Sequence, residues 1–324
     1  MALISVLMPV FNVERYVKEA LRSVQQQTVR DLDIVVVDDG STDGTLPIVE
    51  HIAAIDARIR IFRMDRNRGI PAALNFGLAH CLAPYIARFD GDDVAHPQRL
   101  EKELAVLQAN PEIALVGCAT IGIDENGLPR SGGVVSPVAV SRDEIAKTLL
   151  LSTPCLHMWL ARRQVYDKLE GYRELTVAED YDFLLRAATA GFLLSNVPEP
   201  LMYLRTRRGN SAHTHAIMHR KAQKYAVRLY YERLHTGSDS FSRENFANAV
   251  RAGYLTNLIH NAATSMVKAG FDSRSRTTRM LLCFLASLVS PWQARYFLDR
   301  ARLRWILRNE ATQRDKTCLA PSYQ

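Results

Sequence analysis

The sequence predicts an α/β protein, a doubly wound mixed sheet flanked by helices, followed by an all-helical C-terminal extension. Three observations predict it. Short apolar runs alternate with helical stretches through residues 4–89, acidic turns follow two of those runs directly, and beyond about residue 215 the pattern is almost entirely helical.

Ile4–Val10 and Asp33–Val37 read as strands that end abruptly in polar or turn residues. Between them, Val13–Gln27 sets Val13, Val17, Ala20, Leu21 and Val24 at helical spacing, with Glu14, Lys18 and Arg22 facing away. One face of this helix therefore packs on a sheet, and the three elements form a βαβ unit. Ile59–Arg63 and Tyr85–Phe89 repeat the strand signal, with a helix expected over Ile70–Cys81. Past Gly122, Gly- and Pro-bearing loops at Asn126–Pro137 give way to helical stretches around Arg142–Leu151 and Asp180–Ala190. These are expected to cover the carboxyl edge of the sheet. In the extension, helix breaks are expected near Gly237, near Gly270 and at Pro291. The domain division is expected at 1–212 and 213–324.

A chain of 324 residues with 48% hydrophobic composition buries a full core and is long for one compact domain. Its net charge of +7 is unevenly spread: residues 1–200 carry 20 basic and 27 acidic side chains (−7), residues 201–324 carry 21 and 7 (+14). A basic segment of this kind seeks phosphate, anionic lipid or a charged substrate, or is a solvated helical surface. The cysteines at 81, 118, 155, 283 and 318 are odd in number and lack CxxC spacing, which argues against a disulfide framework or a zinc site and fits a reducing cytoplasm. The chain opens directly into a strand pattern with no leader-like segment. The run Met280–Val289 is too short for the roughly 20 residues of a spanning helix. No transmembrane helix is expected.

The acidic turns carry the chemistry. Val35–Val37 runs straight into Asp38-Asp39-Gly40-Ser41-Thr42-Asp43-Gly44, and open α/β sheets bind ligands at the carboxyl ends of their strands. Carboxylates there accept hydrogen bonds from a base or a ribose; alternatively the stretch is simply an Asp-rich turn. Asp90-Gly91-Asp92-Asp93 repeats the geometry after Tyr85–Phe89. Carboxylates this close repel unless something positive lies between them, and hard oxygen ligands beside a diphosphate suit Mg²⁺ or Mn²⁺. A calcium-binding EF-hand is excluded, since Ala95 stands where its glycine belongs and Pro97 interrupts the loop. A dinucleotide fold is excluded as well, because Pro9-Val10-Phe11-Asn12 replaces the GxGxxG after the first strand. A third cluster, Glu179-Asp180-Tyr181-Asp182, opens a helix, where acidic residues also merely complement the macrodipole.

Together, SVLMPVFN, VVVDDGSTDGT, FDGDD, PCLHMWLARR, EGY and AEDYDFLLR, spread over residues 3–206, resemble the family 2 glycosyltransferases of GT-A fold. The resemblance implies inverting transfer of a sugar from a nucleotide diphosphate donor to an acceptor hydroxyl, assisted by Mn²⁺ or Mg²⁺. It sets Pro9, Phe11 and Glu14 in the nucleotide pocket, with Asp39 accepting the uracil N–H. Asp90 falls on the first Asp of the DxD motif, near ribose and metal, and Asp92 on the metal ligand. Asp180, in the pair Glu179-Asp180, falls on the catalytic base, and Gly171-Tyr172 lies beside the acceptor. His157 falls where the family commonly turns a His toward the site, although a His among apolar residues is as often structural. The family often has a His as a further metal ligand where this chain has Arg207. Arg207 is expected on the diphosphate, with His213 or His215 as the alternative reach toward the metal.

In the extension, Trp292, Tyr296, Leu303 and Leu307 share one face of Trp292–Arg308, which leaves peripheral membrane docking and internal packing both open. With docking, the acceptor implied by family analogy is a lipid-linked glycan built at the cytoplasmic face, as in surface polysaccharide assembly; otherwise it is a glycan. A homodimer is compatible with apolar faces on these helices. Nucleic acid is not an expected partner, for no recognisable binding module is present. A nucleotidyltransferase and a non-catalytic nucleotide-binding module are the alternative functions.

Overall fold

The computed structural model describes residues 2–130, 133, 135–153, 158–207, 216–273 and 275–318. The chain divides into two compact units, residues 1–145 with 153–207 and residues 146–152 with 208–324.

In the first unit, strands β1 (Ile4–Val10), β2 (Leu32–Asp38), β3 (Ile59–Arg63), β4 (Tyr85–Arg88), β5 (Val94–Ala95), β6 (Ile113–Ile123), β7 (Val135–Ser136), β8 (Leu160–Arg162) and β9 (Leu193–Arg205) form one sheet. Its order is β3-β2-β1-β4-β8-β6-β9-β5, with β7 beside β6. The strands β3, β2, β1 and β4 run parallel, while β8 pairs antiparallel with both β4 and β6. The sheet is therefore mixed. Its helices are α1 (Val17–Gln25), α2 (Thr45–Ala53), α3 (Ile70–Leu78), α4 (Arg99–Ala109), α6 (Arg163–Leu169) and α7 (Glu179–Thr189), while α5 (Arg142–Thr148) runs across the division of the chain at residue 145.

The strands β1 and β2 are apolar almost throughout because both faces are covered. On one face Met8, Ile34 and Val36 join Val17, Leu21 and Val24 of α1 in the core. On the other, α3 lies so close that a Cβ on Gly77 would fall 2.3 Å from Leu7 Cδ1 and 2.8 Å from Val37 Cγ2. Each buried Val, Leu or Ile contributes about 1.5–3 kcal/mol. This places the carboxyl ends of β1, β2 and β4 on one rigid edge.

The helix expected over Val13–Gln27 begins only at Val17. Val13 N–H donates to Thr45 Oγ1 (2.8 Å) and Asn12 takes a left-handed φ of 49°, so the chain spends Phe11–Tyr16 crossing the sheet edge before it can wind. β9, which contains Pro198 and Pro200, has no counterpart among the expected elements. Beside it the β6 register shifts between Cys118 and Thr120, around the Ala119–Pro200 pairing, which accommodates a residue with no N–H to donate.

The second unit contains helices Ala216–Thr236, Arg243–Val250, Tyr254–Asp272, Arg276–Val289 and Pro291–Cys318. Chain breaks at Gly237 and Pro291 match the expectation. The break expected at Gly270 falls at Ser273, and Ser275 Oγ caps the next helix by accepting from Thr278 N (3.3 Å). Of the face for which membrane docking and internal packing were both open, Leu307 is buried and the Tyr296 ring lies 3.8 Å from the Arg220 guanidinium carbon. That face packs within the unit. Among the described residues no helix is long and apolar enough to cross a membrane.

Candidate active site

The edge is built by backbone pairing that outlasts the strands. Asp39 N–H donates to Val10 O (2.9 Å), and Phe89 N–H donates to Leu7 O (3.0 Å). Residues 38–39 and 90–93 thus emerge side by side, flanking the turn after β1. Gly91 is required by this proximity, for a Cβ there would sit 2.7 Å from Val10 Cγ1.

At the first turn, Asp39 is buried and accepts from the backbone N–H groups of Arg68 (2.8 Å) and Gly69 (2.9 Å), which lead into α3. Burial pushes its carboxyl up, against the pull of those two donors. Each carboxylate oxygen offers two acceptor sites, so both retain capacity for a ligand donor. Glu14 Oε2 accepts from Gly44 N (2.6 Å) at the start of α2, binding the turn after β1 to the turn after β2. Phe11 is exposed beside it and Pro9 is half-buried.

At the second turn, the three carboxylates are separated by arginines. Arg88 Nε lies 3.5 Å from Asp90 Oδ1, Arg207 Nε donates to Asp92 Oδ2 (2.6 Å), and the backbone N–H of Arg205 donates to Asp93 Oδ1 (2.7 Å). Arg205 also donates to Asp92 O and Glu19 Oε2, fixing the end of β9 to the loop. Both Arg205 and Arg207 lie over the Tyr16 ring, at 5.0 and 5.7 Å. Asp90 and Asp92 thus each face a guanidinium group, and Asp93 accepts from a backbone N–H. Arg207, expected on a diphosphate, donates to Asp92 in this structure.

The third cluster is joined to the second by Arg88. This residue, 2% exposed at its side chain, donates through Nη2 to Glu179 Oε1 (2.9 Å) and lies over the Trp159 and Tyr172 rings. Desolvation works against its charge, but Asp90, Glu179 and Asp180 override it and hold its pKa well above the ordinary value. Burial pushes the Glu179 carboxyl up despite Arg88. Asp180, next in sequence, is half-buried and accepts from Tyr181 N (2.7 Å). The α7 entrance turns on Ala178, at a left-handed φ of 63°. Arg88 was missed by the sequence reading, although a cation inside an apolar strand, immediately before Phe89-Asp90, is the signal that could have found it.

Gly171 and Tyr172 belong to the frame. Gly171 has φ 74° and a Cβ there would lie 2.5 Å from Asn75 Oδ1. Asn75 donates to Tyr172 O (2.7 Å) and accepts from Tyr172 N (2.8 Å), while Arg186, paired with Asp182, donates to Gly171 O (2.8 Å). Tyr172, expected beside the acceptor, is 3% exposed and its ring stacks on Phe183. His157, His213 and His215 lie outside the described residues.

The described residues contain no group of three His, Cys, Asp or Glu able to hold a metal. Asp90 and Asp92, with side chains 24% and 17% exposed, are two hard oxygen donors at the rim. That donor set fits Mg²⁺ or Mn²⁺ held by one or two carboxylates together with substrate phosphates.

A mixed sheet that gathers acidic clusters at one edge is the architecture expected of a GT-A glycosyltransferase, and comparison with known proteins agrees. The family model described as glycosyl transferase family 2 matches residues 5–170. The amylovoran biosynthesis glycosyltransferase AmsE of Erwinia amylovora is 32% identical over 206 residues, spanning 62% of this chain and 75% of that protein. This chain belongs to glycosyl transferase family 2 and is a glycosyltransferase. The fold is shared with TarS of S. aureus, crystallised as residues 1–349 with UDP-GlcNAc (TM-score 0.59, 18% identity, 98% of this chain and 92% of that one). It is shared too with the mannosyltransferase PcManGT of Pyrobaculum calidifontis, in complex with GDP-Man and Mn²⁺ (TM-score 0.55, 18% identity, 94% and 87%).

Proposed function

We propose that this glycosyltransferase inverts the anomeric centre of a UDP-sugar in a single metal-assisted displacement, delivering the sugar to a hydroxyl of a glycan or a lipid-linked glycan at the cytoplasmic face of the membrane. The observation that carries the reading is Arg88, which ties the Asp90 end of the donor turn to the Glu179-Asp180 doublet. Donor and base are thereby set in one frame. Residues 1–212 form the catalytic domain, and 213–324 a basic helical region.

In this reading Pro9, Phe11 and Glu14 line the nucleotide pocket, Asp39 accepts the uracil N3–H and Asp90 holds the ribose. Asp92 would hold Mn²⁺ or Mg²⁺, with Asp90 close by, and the ion would supply charge neutralisation for the leaving diphosphate. Arg207 moves from Asp92 to a diphosphate oxygen when the donor binds, trading one carboxylate contact for a phosphate contact of the same charge-assisted kind. Asp180 takes the acceptor hydroxyl proton. The acceptor oxygen then forms its bond to the anomeric carbon as the bond to the diphosphate oxygen breaks, and the electron pair leaves with the nucleoside diphosphate. Glu179, held by Arg88, positions Asp180 and keeps its own charge away from the acceptor. The complexes of TarS with UDP-GlcNAc and PcManGT with GDP-Man support a nucleotide-sugar donor in general.

The test is calorimetric titration with UDP, GDP and CDP, each with Mn²⁺ or with EDTA, followed by product analysis. Metal-dependent UDP binding and release of free UDP support the reading. Release of pyrophosphate would indicate a nucleotidyltransferase, and absence of nucleotide binding would sink the proposal.

A further inference from the structure

The helix Arg276–Val289 is amphipathic with its apolar side turned outward. Met280, Leu281, Phe284, Leu285, Leu288 and Val289 recur at one-turn spacing and are all exposed, Phe284 at 60% and Leu288 at 67%. The opposite side is the packed one: Ala286 is buried, and Leu282 Cβ would meet a Cβ on Gly270 of the neighbouring helix at 3.3 Å. Hydrophobic packing within the unit therefore does not explain the wide apolar face. In the next helix, Leu298 (67%) and Trp305 (66%) are exposed as well. At 100° per residue they share a side, flanked by Arg295 and Arg302 on one hand and Arg304 and Arg308 on the other.

We propose that the exposed apolar face of the helix Arg276–Val289, with Phe284 and Leu288 at its centre, is an interfacial membrane-docking site for a bilayer rich in anionic lipid. Charge decides the occupant. Residues 254–308 carry nine Lys and Arg against two Asp and Glu, net +7 (9 − 2). A second copy would bring two such surfaces together and repel, whereas an anionic bilayer complements both the cations and the apolar stripe. Each basic residue near an anionic surface strengthens binding about fivefold. The site differs from the face of Trp292, Tyr296, Leu303 and Leu307 that periodicity alone suggested. It is also independent of the donor site, since vesicle binding requires no turnover and either proposal can fail without the other.

The experiment is flotation of the full chain with vesicles of phosphatidylcholine alone or with phosphatidylglycerol, at low and high NaCl, for wild type, Phe284→Ser/Leu288→Ser and Arg302→Glu/Arg304→Glu. Circular dichroism and melting check that each variant is folded, and sedimentation velocity reports the oligomer. The expected result is flotation only with anionic vesicles, weakened by salt and lowered at least about tenfold in each double variant. Three outcomes overturn the proposal: no flotation, flotation unchanged in the folded Phe284→Ser/Leu288→Ser variant, or a dimer that this variant dissociates.

Discussion

Replacing Arg88 with Met tests the link that joins the two acidic clusters. The change keeps an unbranched side chain of similar reach but removes the cation facing Glu179 at 2.9 Å and Asp90 at 3.5 Å. With side chains only 2% and 9% exposed, the Arg88–Glu179 pair is little screened by water. Opposite charges at such separations attract by roughly 5 kcal/mol at an effective dielectric of about 20. Breaking a buried pair from one side costs about 3–5 kcal/mol, because the remaining charge stays desolvated. Arg88→Met is therefore expected to destabilise the first unit by about 3 kcal/mol. Glu179→Gln should cost less, and the double variant should fall short of the sum by at least about 1.5 kcal/mol. The assay is urea unfolding read by hydrogen exchange at the β4 and β8 amides, where Arg88 N–H donates to Trp159 O (3.0 Å). Additivity within about 0.5 kcal/mol would refute the coupling.

Asp180→Asn should lower sugar transfer by about 10²- to 10⁴-fold while leaving UDP affinity within about twofold, measured by radiolabelled transfer and calorimetry. Gly91→Ala should cost about 1–3 kcal/mol, because its methyl would meet Val10 Cγ1 at 2.7 Å; a thermal melt as stable as wild type would contradict the packing. Burial pushes the Glu103 carboxyl up to about 7, with Arg99 only partly opposing it. A folded pKa above the unfolded value near 4.5 means that its contribution is fully present below 4.5 and lost as pH rises through about 7. Raising the pH from 5 to 8 should therefore remove about 2.5 kcal/mol through this group, and urea titrations of Glu103→Gln should show that slope flattened.

The first four strands were legible because a parallel strand covered on both faces is apolar throughout and ends where its turn begins. Val35–Val37 stopping at Asp38, and Phe89 stopping at Asp90, mark both the elements and the site. The later strands β6 and β9 were not read as such. β9 carries two prolines, and its pairing depends on a shift in β6 opposite Pro200, a tertiary accommodation that local periodicity cannot express. At the site the acidic residues were readable as anomalies at strand ends. Their arginine partners were not, since Arg205 and Arg207 lie more than a hundred residues from Asp92 and Asp93 and meet them only through β9. Tyr172 was placed by its motif beside the acceptor, and the motif says nothing of its packing, in which the ring stacks on Phe183 and lies under Arg88.

The acidic motifs come as doublets for a reason that electrostatics supplies. One carboxylate at a strand or helix end repels its neighbour, so two are tolerated only if one is held by a donor that does not leave. Asp93 is held by the Arg205 N–H, and Glu179 by Arg88. Their neighbours Asp92 and Asp180 stand closer to solvent, the first engaged by the Arg207 guanidinium. A ligand that brings its own charge can exchange with such a contact, but not with a buried one without leaving a desolvated charge behind. In these two doublets the fixed member sets position, and under the proposed function the outer member carries the chemistry. Neutralising Asp93 or Glu179 should accordingly loosen the fold more than neutralising Asp92 or Asp180, with the order reversed for turnover.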